Sequence, residues 1–220
     1  MTTSQAPVRA IGYMLAGGAL LTLSDAVVKS LTPFYPTGQI LFYRASFIFL
    51  PILVFTWWSG GVNVLRVKNV KGQAARAVCV IGGSFCFVTG LQYLPLADMI
   101  AIGFASPLVV TSMAPVFLGE QVGWRRWLAV GAGFAGVLVM VRPTGDAFQW
   151  AIIFPIASVL FGSTRDVVTR HILRSERTLA VLFVTTTMVL LAGLATWPLG
   201  WSTLDPWHLW RFLVVGILVG

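Results

Sequence analysis

Seven stretches of apolar residues, each close to the roughly 20 needed to cross a ~30 Å hydrocarbon core as a helix, follow one another along this chain. They cover residues 10–31, 36–57, 73–93, 96–118, 124–141, 148–168 and 178–199. An eighth begins near Trp207, but its apolar run over 212–220 is too short to span, so the expectation is a bundle truncated within its eighth helix. Composition agrees: 57% of the residues are hydrophobic and 10% charged, against about 25% charged in an ordinary soluble domain. Too little polar surface exists to coat a water-soluble globule. The first nine residues and the first apolar run imitate a signal peptide, yet Asp25 and Lys29 interrupt its end and further spans follow, so it reads as a retained helix.

Two independent patterns fix the boundaries and the orientation. Trp57, Trp58, Trp124, Trp127, Trp150, Trp197, Trp201, Trp207 and Trp210 all fall near expected helix ends, where interfacial aromatic belts sit. With a cytoplasmic N-terminus, ten of the fifteen basic residues collect at inner helix ends: Arg9, Arg66, Lys68, Lys71, Arg76, Arg125, Arg126, Arg170, Arg174 and Arg177. Lys29, Arg142 and Arg211 remain outside, while Arg44 and Arg165 lie within spans. The net charge of +8 forms no basic stripe with interleaved aromatics, which excludes a nucleic-acid surface.

A constant offset of 141 positions brings Asp25 over Asp166, Lys29 over Arg170, Leu41 over Leu182 and Phe42 over Phe183. SDAVVKSL thereby overlies TRDVVTRH to within one position. Five spans, an odd number, separate the two copies, so the second must be inverted relative to the first.

The stretch LQYLPLADMIAIGFASPLVVTSMAPVFLGEQVGWRRWLAVGAGFAGVLVMVRP, residues 91–143, closely resembles the end of the first repeat of the EamA family of the drug/metabolite transporter superfamily. LTLSDAVVKSL and FYRASFIFLP resemble that family's first two helices. The resemblance implies an all-α polytopic helical bundle of two inverted five-helix repeats, ten helices when complete, with both termini cytoplasmic in a bacterial inner membrane. Residues 1–147 would form the first repeat and 148–220 an incomplete second one. The counterpart of LADMIAIGFASP, expected in a ninth helix, is absent, which puts transport by this chain alone in question.

Charge within a membrane costs at least ~2.5 kcal/mol per group at the centre, so each such residue needs a partner or a task. Asp25 and Lys29 lie four apart on one helix face and can pair. Arg44 enters about two turns down the second span, and Asp98 opens the fourth from the same side. The four would meet in the outer half of the membrane if the first, second and fourth helices are neighbours. The inverted copy carries Arg165, Asp166 and Arg170 toward the cytoplasm. Two readings stand side by side: an outer and an inner gate of an alternating-access carrier, or structural ion pairs with Lys29 and Arg170 snorkelling.

Pro107 falls near the middle of the fourth span, after Ser106, and frees a carbonyl that neighbours or a cavity must satisfy. Ser106 and Pro107 are therefore the preferred cavity residues, with Gln92 as a polar lining group, against the plainer reading of a packing kink. Glu120 reads as a loop salt bridge to Arg125 or Arg126.

Other chemistries find no support. Gly131, Gly133 and Gly136 spell the dinucleotide fingerprint, but inside a continuous apolar helix rather than after a strand, so close helix packing or dimerisation explains them better. His171 and His208 lie at opposite faces with no ligand-spaced partner, so no metal is expected and no cofactor is implied. Cys79 and Cys86 read as buried free thiols. The expected function is a secondary transporter of small organic metabolites such as amino acids, amines or vitamins, coupled to a proton or sodium gradient. Its partners are a small-molecule substrate and the lipid bilayer, and a homodimer is compatible. The alternatives are a non-transporting membrane subunit and a membrane-embedded acyl- or lipid-modifying enzyme, the latter lacking a catalytic constellation.

Overall fold

The computed structural model describes residues 5–59, 61, 65, 67–118, 123–141, 150–172 and 177–219. Arg66, Glu120, Arg142, Arg174 and the boundary between the two repeats lie outside them, as do the side chains of Arg9 and Arg126. Every regular element among the described residues is helical: α1 (Gln5–Leu31), α2 (Thr37–Trp58), α3 (Val70–Tyr93), α4 (Leu96–Gly103), α5 (Ser106–Leu118), α6 (Trp124–Val141), α7 (Ile153–Ile172), α8 (Thr178–Leu194) and α9 (Pro206–Val219).

Among the described residues, six segments are long and apolar enough to cross a bilayer: Ile11–Leu31, Thr37–Trp58, Val70–Tyr93, Leu96–Met113, Trp150–Ile172 and Thr178–Leu199. The span expected at 124–141 is helical throughout as α6, though it is not among those six, and α9 is a shorter apolar helix. Little of this apolar surface faces protein. Met14, Leu53, Val78 and Leu160 point outward, as they must when lipid is the solvent and satisfies apolar side chains but no backbone polar group. Trp57, Trp58, Trp124, Trp150, Trp197 and Trp207 are exposed near helix ends, the position of an interfacial belt.

The expected continuous fourth span is broken. The chain turns at Phe104 and Ala105, where Ala105 N donates to Ile102 O at 2.9 Å, and helix resumes at Ser106. Pro107 is the physical reason: it has no N–H for the Gly103 carbonyl, and its ring excludes the preceding helical turn, but it fits the first turn of a new helix. The break lies three residues before the proline rather than at it.

Helix packing shows how the halves meet. α3 packs on α7 and α1 on α9; α2 packs on α9 and α3 on α8; α2 and α8 pack on each other. Exchanging α1, α2 and α3 with α7, α8 and α9 maps this set of pairings onto itself, the relation that a pseudo-two-fold between inverted halves imposes. Directions agree, since Tyr93 at the end of α3 stacks on Phe154 at the start of α7, with ring centroids 5.9 Å apart. The α2–α8 contact is close at Gly193, where an added Cβ would lie 2.8 Å from Gly38 O and 2.9 Å from Phe42 N. Only glycine permits that approach of backbones.

We call the end of the bundle that holds the N-terminus proximal and the other end distal. The main buried cluster is distal, built from Val28, Leu31, Tyr35, Ile40, Leu91 and Phe212, among others, so the bundle is sealed there by packed side chains.

Candidate functional site

Beneath the distal seal lies a cavity of about 310 Å³ between α1, α2, α3, α4, α5 and α7. Its polar lining is Asp25, Arg44, Cys79, Ser84, Ser106, Ser158 and Arg165. A second cavity of about 290 Å³ shares Leu21, Arg44, Val80, Ser84 and Arg165 with the first and adds Arg76, Thr185 and Thr186. The two are adjoining parts of one central space, with Arg44, Ser84 and Arg165 at their junction.

Local sequence explains this placement. Ser106 opens α5 immediately after the proline-dictated break and turns inward, where its hydroxyl lies 3.1 Å from that of Ser163 on α7. On α3, Gly83 lets α7 approach closely, and Ser158 donates to the Gly83 carbonyl at 3.2 Å. Small residues on α3 and α7 thus leave room that larger ones would fill. Asp25 is close enough to Arg44 for their charges to interact, yet the two form no ion-pair contact.

The residues singled out from the sequence separate into three groups. Asp25, Arg44 and Ser106 come together on the first cavity. Lys29, Gln92, Asp98 and Pro107 do not line it. Lys29 leaves Asp25 and instead donates its ammonium to Leu91 O and, at 2.9 Å, to Leu94 O, the unsatisfied carbonyls at the C-terminus of α3. A cation there completes the acceptors and the negative end of the helix dipole. Gln92 is exposed and reaches Thr37 at 3.3 Å, while Asp98 is exposed in the first turn of α4. The third group is inverted: Arg165 bonds Asp166 at 2.7 Å, and Arg170 is exposed near the end of α7. Arg165 borders the same space as Arg44, so one member of the expected inner set joins Asp25 and Arg44 on one cavity, while Lys29, Asp98, Asp166 and Arg170 do not.

Sequence reasoning missed Arg76. Counted as a basic residue at an inner helix end, it lies within α3 and donates to Thr169 on α7 at 2.8 Å and to Thr185 on α8. Its signal was available, as it falls inside the apolar stretch 73–93 that the span count itself proposes. Distal contacts were equally hidden. Gln39 forms a two-point clasp with Ser202, donating to its carbonyl at 2.8 Å and accepting from its amide at 3.0 Å. The Tyr35 hydroxyl lies 2.9 Å from His208 Nδ1 and accepts from Asp205 N at 3.1 Å. Both tie the start of α2 to the chain leading into α9.

Known proteins resemble the chain over most of its length. A riboflavin transporter of Rhizobium johnstonii is 32% identical over 176 residues, covering 79% of this chain and 58% of the relative. An S-adenosylmethionine uptake transporter of Rickettsia conorii is 22% identical over 209 residues, 94% of this chain and 70% of the relative. A riboflavin transporter of Vibrio cholerae is 24% identical over 204 residues, 90% of this chain and 68% of the relative. The chain therefore spans 58% to 70% of the length of these relatives, whose names describe transporters rather than enzymes. The model of the EamA-like transporter family matches residues 8–142, more than half of the 220, and with six helices fit to span a membrane among the described residues the protein is a multi-pass membrane protein that belongs to that family.

Proposed function

We propose that the protein is a secondary carrier of a small organic metabolite in a bacterial inner membrane, working by alternating access to the central cavity. The observation that carries this reading is the cavity itself. It is polar and charged, it lies within a membrane bundle, and it sits where helices of both halves meet in an exchange-symmetric pattern. About 310 Å³ falls within the range of small-molecule sites. The relatives named for riboflavin and S-adenosylmethionine support a substrate of that class, a small metabolite or vitamin.

Within the proposal, residues 1–147 form one repeat and 148–220 part of its inverted partner, with the N-terminus cytoplasmic by the distribution of basic residues. The distal contacts of Lys29, Tyr35 and Gln39 then close the outer side. Asp25, Arg44 and Ser106 contact substrate. Pro107 sets the kink that presents Ser106. Lys29, Gln92, Asp98, Asp166 and Arg170 act at the two ends rather than at the substrate. A carboxylate at Asp25 or Asp98 supplies the proton or sodium coupling. α6 is free to join two copies, because a Cβ at Gly131 or Gly136 meets nothing within 4 Å.

The test is uptake by sealed proteoliposomes offered labelled riboflavin, S-adenosylmethionine and a panel of amino acids and amines. Accumulation of one compound above protein-free vesicles, reduced at least tenfold by Asp25→Asn with insertion retained, is the expected result. Stable insertion without uptake of any compound would replace the carrier by a membrane subunit that does not transport.

A further inference from the structure

We propose that the central cavity is an oxyanion site, in which the guanidinium of Arg44 receives a carboxylate or phosphate of the ligand. This deepens the carrier reading and rests on it for the identity of the cavity as a substrate site. Three guanidinium groups, Arg44, Arg76 and Arg165, border the two adjoining cavities, and Asp25 is the one carboxylate in their described lining.

The three cations are not equivalent. Arg165 is neutralised by Asp166 at 2.7 Å, from outside the lining. Arg76 has two of its N–H groups taken by Thr169 and Thr185. Arg44 borders both cavities and forms no hydrogen bond or ion pair with any described residue; the charge of Asp25 acts on it from beyond contact. A guanidinium carries five donors in a planar fork, the geometry that a carboxylate or phosphate meets with two parallel bonds. For a half-buried guanidinium, donors left unmet by the protein are costly, and a ligand that supplies acceptors removes that cost.

Ligand charge follows from the same inventory. A cation would enter a space whose arginines outnumber its carboxylates, and a neutral apolar ligand would leave the Arg44 fork unsatisfied. An oxyanion meets Arg44 directly and finds the Ser84 hydroxyl in the lining of both cavities. The oxyanion can belong to a water-soluble metabolite or to a phospholipid headgroup reaching the cavity from the bilayer.

The experiment titrates the protein, purified in phospholipid-free and phosphate-free detergent, with inorganic phosphate and with acetate, using choline chloride at equal ionic strength as the cationic comparison. Thermal unfolding reports binding. Phosphate or acetate, and not choline, is expected to raise the midpoint, with an apparent Kd weakened at least tenfold in Arg44→Gln and unchanged in Lys71→Gln, an exposed lysine at the start of α3. The double variant Asp25→Asn/Arg44→Gln removes both charges and keeps the test valid if the single variant does not fold. Phosphatidylglycerol retained per chain through purification, and lost in the Arg44 variants, would assign the same site to a headgroup; soluble phosphate binding alone assigns it to a metabolite. Equal shifts by phosphate and choline, or phosphate binding that survives both Arg44 variants without Arg44-dependent lipid, overturns the site. Because binding is read without transport, an Arg44-dependent phosphate site in a protein that accumulates nothing would sink the carrier reading and leave the site standing.

Discussion

Lys29→Met removes an ammonium while keeping most of the aliphatic stem, which isolates the contribution of the charge to the α1–α3 joint. Two hydrogen bonds disappear, those to Leu91 O and Leu94 O, and bonds to a charged donor contribute about 1.5–3 kcal/mol each. Holding the ammonium within a span opposes them by up to about 2.5 kcal/mol. The difference leaves a net stabilisation on the order of 2 kcal/mol, and the two orphaned carbonyls keep it from falling to zero. For a chain of this length that corresponds to a midpoint about 4–8 °C lower. Thermal unfolding in detergent measures it, and alkylation of Cys86, the free thiol nearer the distal end of α3, gives a second reading. Loosening the joint should raise the alkylation rate with Lys29→Met and leave it near the parent value with Lys29→Arg. If Lys29→Met melts with the parent and Cys86 reacts no faster, the ammonium does not hold α3, and the snorkelling reading of Lys29 prevails.

Two further substitutions test the packing and the proximal contacts. Gly193→Ala places a methyl 2.8 Å from Gly38 O, so α2 and α8 must part by roughly 0.6 Å to restore ordinary contact, a strain of about 1–3 kcal/mol; Gly131→Ala, open on all sides, should melt at or above the parent temperature, and equal effects of the two would refute the close approach. Thr185→Val keeps the shape and removes an acceptor of Arg76, which should lower stability by about 1.5–3 kcal/mol; combining it with Arg76→Gln should cost less than the sum of the two changes if they act through one contact.

Periodicity of apolar length was enough to read the helices, because in lipid each span must satisfy its own backbone and length alone selects the solution. Asp25 and Asp166 carry the proposal of a repeat, since aligned charges are rare events among apolar segments. Depth along a helix was also legible, and it correctly put Asp25 and Arg44 at one level. Rotation about the helix axis was not. Asp98, in the first turn of α4, is shallower than Arg44 and exposed, and Gln92 looks away from the cavity, because nothing in an all-round apolar helix marks which face meets protein rather than lipid. The target of Lys29 was hidden for a different reason: carbonyl acceptors at a helix end belong to the backbone and leave no residue type to find. Arg76 was lost to a counting rule, since a basic residue near a helix end scores as a loop charge even when its long side chain reaches inward to two threonines.

The same offset that aligns the two aspartates exposes where the halves differ. Adding 141 to Arg44 gives Thr185, and subtracting it from Arg165 gives Ser24. Helix α2 therefore carries the guanidinium that serves Asp25, whereas Asp166 is served by its own neighbour in α7, and the position equivalent to Arg44 accepts a bond from Arg76 instead. The acidic positions repeat; their cationic partners do not. In a carrier built from two equivalent inverted halves, the two access states would exchange the conformations of those halves and have the same energy. Every inequality between the halves biases one state, and about 1.4 kcal/mol is enough for a tenfold change in population. Here the inequality falls on the charged residues that border the cavity, so a ligand that engages Arg44 acts on the group that distinguishes the halves. On the proposed alternating-access reading, binding and the balance between the two states would be coupled through one side chain, which a ligand held by the symmetric scaffold alone could not achieve.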